Sequence, residues 1–222
     1  MNEIYPTKYQ DKHGEEITTL QNDGKQLSMT VRGVTFAGND FDSLEATISP
    51  DSPQLKSFTL HANSLAACDI ECDMPMIFIA NGIEAPCNLH IHLKLGKPLS
   101  NGAIENEALQ LRLDLNGKSY TSCGQHGWFE EELVELHQCL PEPVYLKCCF
   151  NCASSDYFPA GYGLFGGLAC FRDNKQQYLK VENKSDLFQI WETMTELVQE
   201  TYLCAEFEKR IAGTGYRGKH PI

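Results

Sequence analysis

The longest apolar run, residues 74–80, is seven residues that include Pro75, far short of the ~20 that a membrane helix needs. The first residues lack a basic stretch followed by an apolar one, so no secretory signal is read there and a cytoplasmic location is expected. Cations are scarce, with 18 Lys+Arg against 30 Asp+Glu and a formal net charge of −12. The deficit is uneven: residues 1–140 carry 20 acidic and 9 basic side chains, and residues 141–222 carry 10 and 9. Phosphate backbones are repelled by such a surface, so a nucleic-acid partner is not expected; a basic protein would be steered towards it. The chain also lacks G-x-S-x-G, P-loop and H-E-x-x-H motifs, and no Ser/His/Asp order stands out.

What is present is ordinary globular material: 42% hydrophobic, 22% charged and 10% aromatic over 222 residues. That is enough chain to bury a core without staples. Leu89, Ile91, Leu93 and Leu95 alternate with polar residues, as do Leu109, Leu111, Leu113 and Leu115. Cys68, Ile70 and Cys72 alternate with Asp69, Glu71 and Asp73 in the same way. Period-two patterns in several strands imply an antiparallel sheet or sandwich with one wet face. Strands are also expected over 15–20 and 27–36 across the Asp23-Gly24 turn, and over 57–62, 144–149 and 164–171; Asn116-Gly117 marks another tight turn.

Phe129, Leu133, Leu136 and Leu140 repeat at helical spacing behind Glu130, Glu131 and Glu132, which favour a helix N-terminus. A second apolar stripe, Leu187, Ile190, Trp191, Met194, Leu197, Val198 and Tyr202, predicts a helix over 185–207 with Ser185 as N-cap and Trp191 in the core. The fold class expected is α+β: one domain over 1–222, with an acidic β-rich part (1–140) and a cysteine-bearing hairpin and helix (141–222).

Ten cysteines without an export signal are expected to be reduced thiols. Cys149-x-x-Cys152 on a turn lets two sulfurs converge on one tetrahedral centre at about 2.3 Å. Cys170, at the end of the next strand, and Cys204, in the last helix, are candidates for the second pair. Cys123-Gly-Gln-His126 has ligand spacing too and could replace a member. Lys147 and Arg172 stand two residues from Cys149 and Cys170, where cations would offset thiolate charge. The competing reading is of small core residues, since free cysteine is among the most buried types. A thioredoxin-like role fits poorly, because residues 153–159 read as loop and not as helix. His90-x-His92 shares its face with Lys94 and reads as a solvated polar face. Gly161-Tyr-Gly163-Leu-Phe-Gly166 matches G-x-G-x-x-G but lacks the strand–helix frame, so it reads as a turn. Ser154 and Ser155 beside Asp156 read as a turn capping its own backbone.

The order of Cys149-Phe-Asn-Cys152, Ser155-Asp-Tyr157, Pro159, Phe165-Gly, Cys170-Phe-Arg172, Glu200-Thr-Tyr-Leu-Cys204, Arg210 and Gly213-Thr-Gly-Tyr-Arg-Gly218 resembles a bacterial family of unknown function. Arg32-Gly-Val-Thr-Phe36, Asp42 and residues 130–133 extend the resemblance over most of the chain. Ala205 and Ser154 depart from the pattern, where proline and an aromatic residue are expected. The resemblance implies a metal set of Cys149, Cys152, Cys170 and Cys204 holding a structural zinc. It also implies an immunity or accessory role in polymorphic-toxin neighbourhoods, with a basic toxin domain as partner. An enzyme using an open zinc position or the loop 154–167 is the alternative. A closed Cys₄ site favours the binding protein, because catalytic zinc keeps a position for water.

Overall fold

A computed structural model describes residues 3–161, 163–211 and 213–216. One antiparallel sheet dominates. Its first four strands, β1 (Glu3–Asp11), β2 (Gly14–Asn22), β3 (Leu27–Val31) and β4 (Val34–Gly38), form a meander. Three short strands, β5 (Glu45–Ala46), β6 (Leu60–His61) and β7 (Ser64–Leu65), finish one edge. On the other side β1 pairs with β8 (Asp69–Ala80), and the sheet continues through β9 (Ile83–Lys94), β10 (Ala108–Leu115) and β11 (Lys118–Thr121). The alternation read from the sequence is realised: every second residue of β10, from Leu109 to Leu115, is buried and its neighbours are exposed. Asn116 and Gly117 both take positive φ, 53° and 79°, as a tight two-residue hairpin requires.

Strands from both ends of the path share one core. Leu65 and Phe36 belong to the same cluster as Leu113, Ile91 and Tyr120, so the sheet curls around its apolar face. Helix α1 (Phe129–Cys139) closes that core with Phe129, Leu133 and Leu136. The wet face is laced with ion pairs, Lys8–Glu71 at 2.7 Å and Arg112–Asp114 at 3.4 Å, and with histidine–carboxylate contacts, His90–Asp114 at 3.0 Å and His92–Asp69 at 3.6 Å. His90 and His92 thus each serve aspartates on neighbouring strands.

The C-terminal part is built on a second, three-stranded sheet. After β12 (Tyr145–Leu146), which pairs with β8, come β13 (Ser155–Tyr157) and β14 (Leu168–Cys170), then α2 (Lys175–Tyr178), α3 (Lys184–Ile190) and β15 (Glu196–Val198). The helix expected over 185–207 is therefore corrected. It stops at Ile190, passes through one 3₁₀ turn, and becomes an edge strand pairing Val198 with Leu168 and Glu196 with Cys170. Thr193 takes the Ile190 carbonyl at 2.6 Å, and the Thr195 N–H donates to the Cys170 carbonyl. The unpaired edge of β14 outweighs the helical stripe. The cap is Asn183, not Ser185: its side chain accepts from the N–H groups of Ser185 and Asp186. Trp191 is half-buried, against Phe158 and Phe171, and not a core residue.

The strand expected over 27–36 is instead the β3–β4 hairpin, turning at Arg32-Gly33. Cys149 opens a 3₁₀ turn and does not end a strand. The two parts meet through Phe41, Phe129 and Phe165, whose rings lie 4.7–5.8 Å apart. Asn22 and Gln199 also exchange amide hydrogen bonds of 2.7 and 3.0 Å. Among the described residues no helix is long and apolar enough to cross a membrane.

Candidate functional site

The cysteine turn is made by its own backbone: the Cys152 N–H donates to the Cys149 carbonyl at 3.1 Å and the Asn151 N–H to that of Cys148 at 3.0 Å. Cys149 and Phe150 donate outward to the carbonyls of Tyr202 and Glu200, which lays residues 200–202 along the turn and carries Cys204 in beside it. The β13–β14 register sets Ser155 opposite Cys170, so the returning strand brings Cys170 back to the turn, as its position at the strand end predicts. Cys149, Cys170 and Cys204 pack in one cluster with Tyr157, Leu168 and Val198, and the charge field of Cys152 reaches Cys149 and Cys170.

Two of these sulfurs accept backbone N–H bonds from two residues on: Cys204 from Glu206 at 3.3 Å, and Cys170 from Arg172. The Arg172 guanidinium also lies 3.9 Å from the Cys170 sulfur and is held by Glu196 at 2.6 Å. Lys147 does not join it; it reaches across to Glu84 at 2.5 Å instead. As free thiols Cys149 and Cys170 are pushed up in pKa, chiefly by burial.

Cys123 and His126 stand apart from this quartet. They meet Glu132 and Glu135 of α1, and the ligand atoms of these four residues all lie within 4.8 Å of one another. Among the described residues, no other group of three or more such donors is gathered that closely, the quartet included.

A third feature lies where the C-terminal part meets the sheet. A cavity of about 470 Å³ is lined by Asp40 and Asp42 on one side and by Phe158, Phe165, Trp191 and Met194 on the other. Asp40 caps the turn after β4, accepting from the N–H groups of Phe41 at 2.7 Å and Phe165 at 3.1 Å. Burial, with the charge of Asp42 next, holds its carboxyl up to about 7. Glu200, buried behind the loop, accepts from the Gly166 N–H at 2.7 Å and the Tyr157 hydroxyl at 3.1 Å; burial raises it to about 7 as well. Glu107 is raised to about 7 by burial and then by Asp42. Among the described residues none of these four carboxylates has a basic side chain within ion-pair distance.

A family model matches residues 3–155, described as a family of unknown function, DUF6304. The chain belongs to this family. No curated protein and no solved structure matches it. The match covers Cys149 and Cys152 but ends before Cys170 and Cys204.

In this DUF6304 chain the glycine-rich loop is not a phosphate cradle. Its amides at Phe165 and Gly166 already hold the carboxylates of Asp40 and Glu200, and Gly166 leads into a strand. Gly163 is required by close approach, since a Cβ there would fall 2.2 Å from the Asp40 carboxylate. The Ser-Ser-Asp run is spoken for too. Ser155 donates to the Cys149 carbonyl at 2.6 Å, and Asp156 accepts from the Tyr178 hydroxyl at 3.0 Å. Arg210 donates to that same tyrosine oxygen at 3.0 Å. Sequence reasoning missed Asp40 as a pocket residue and placed Trp191 in the core. The signal available was an aspartate between Gly38-Asn39 and Phe41, which reads as a turn cap and nothing more.

Proposed function

We propose that this chain is a non-catalytic binding protein that captures a basic protein partner, with a structural zinc on Cys149, Cys152, Cys170 and Cys204 stapling its C-terminal part. The observation that carries the binding role is the pocket of Asp40, Asp42, Phe158 and Trp191. Carboxylates that ion-pair with no basic side chain among the described residues, beside aromatic walls, suit a lysine or arginine side chain, whose charge meets the acid while its stem and face lie on the rings. The resemblance to toxin-neighbourhood proteins suggests a basic toxin domain as that partner and cytoplasmic immunity as the role. Zinc fits the donor set: four thiols on three converging segments, with backbone N–H bonds to two sulfurs and Arg172 beside them to offset thiolate charge.

Co-expression with the product of the neighbouring gene, followed by co-purification, tests the binding role. A complex is expected whose association slows as salt rises to physiological levels, and which Asp42→Lys and Trp191→Ala each weaken. No complex, or one indifferent to both substitutions, overturns it. The enzyme reading is favoured by one observation, the carboxyls of Asp40 and Glu200 held near 7, where general acid–base groups work. Both are tied to loop amides. Turnover of a small cationic substrate by the purified chain, lost in Asp40→Asn, would restore that reading.

A further inference from the structure

The loop between β11 and α1 folds back onto the first two turns of the helix. Glu132 fastens it: its two carboxylate oxygens accept the N–H groups of Gly124 at 3.0 Å and His126 at 2.9 Å, and the side chain is fully buried. Glu135, one turn further on, accepts the Cys123 N–H at 2.7 Å and lies 3.0 Å from His126 Nε2. Loop and helix together thus present a thiol, an imidazole nitrogen and a carboxylate to a common point, and both Cys123 and His126 are open to solvent.

We propose that Cys123, His126 and Glu135 form a second, solvent-open site for a divalent transition metal of the zinc type, with Glu132 as its positioning residue. The donor set argues for that class. One sulfur, one nitrogen and one oxygen suit a borderline ion, whereas magnesium and calcium require mostly oxygen ligands. Both Glu132 oxygens are occupied by backbone amides, so it shapes the loop and leaves the other three as ligands. Metal uptake releases the Cys123 thiol proton to solvent. The imidazole gives Nε2 to the metal and turns its Nδ1–H towards Glu131, whose carboxylate lies 4.0 Å away. Three protein donors leave the fourth tetrahedral position to water, in contrast to the closed set proposed for the four other cysteines.

Thiol alkylation mapped by mass spectrometry tests this without reference to that quartet. Cys123 and Cys139 are the exposed thiols among the described residues, and Cys139 sits one helical turn beyond Glu135 as an internal control. In the full-length chain, added zinc should slow iodoacetamide labelling of Cys123 and leave Cys139 unchanged, while magnesium alters neither. His126→Ala and Glu135→Gln should each raise the zinc needed for half-protection by at least about tenfold, a cost that even outer-shell partners carry. Cys149→Ser should leave the protection intact, so failure of this site and failure of the quartet are told apart. Unchanged labelling of Cys123 in saturating zinc overturns the proposal, and so does protection that survives both substitutions undiminished.

Discussion

Glu200 should make this protein lose stability between pH 5 and pH 8, and replacing it with glutamine should remove that loss. The carboxyl is fully buried and titrates near 7 in the folded chain, against an ordinary value of 4.5 when unfolded. Between those two values the folded state holds a proton that the unfolded state has lost. The contribution is therefore fully present below about 4.5 and disappears as pH rises through about 7. A gap of about two and a half pH units corresponds to about 3 kcal/mol. Glutamine carries no charge, so urea unfolding followed by circular dichroism should show the drop from pH 5 to pH 8 smaller by about that amount. The variant should be the more stable protein at pH 8. At pH 5 it should lose about 1 kcal/mol, because its NH₂ group cannot accept where the hydroxyl oxygen of the protonated carboxyl still can, and Gly166 and Tyr157 donate one bond to each position. His137 works in the opposite direction. Burial holds it down to about 4, so its contribution grows with pH from about 4 to 6.5, but it is common to both proteins and cancels in the difference. Asp40 adds to the effect, since the Glu200 charge raises its carboxyl. Parallel stability profiles for wild type and variant would refute the burial argument outright.

Metal analysis of purified protein should find about one zinc per chain attributable to the quartet, lost in Cys204→Ser; less than about half an equivalent in metal-replete wild type would count against the site. Gly163→Ala should lower stability by about 1–3 kcal/mol, because the new methyl overlaps a carboxylate anchored by two amides. An unchanged unfolding midpoint would show that the loop can yield.

Where residues answer to their immediate neighbours, the sequence by itself determined the outcome. The period-two alternation of β8, β9 and β10 is the burial pattern of the folded strands, because each side chain's face follows from its place in the pleat. The Phe129–Leu140 spacing and its leading glutamates yield α1, and Asn116-Gly117 yields its hairpin, since both depend on local backbone preference. The return of Cys170 to the cysteine turn was legible for the same reason, one strand's length and direction being enough.

Tertiary structure alone decided the rest. The stripe beyond Ile190 satisfies helical spacing, yet β14 offered an unpaired edge, and ladder bonds from a distant strand outweigh a few tenths of a kcal/mol per residue of propensity. Lys147 was two residues from Cys149 in sequence but nearer to Glu84 in space. Asp40 and Glu200 are both raised by burial around one short loop, 125 residues from the first and 34 from the second, whose amides at Phe165 and Gly166 pull the other way. Desolvation is set by everything that surrounds a group, and neighbours that far along the chain leave no local pattern to read.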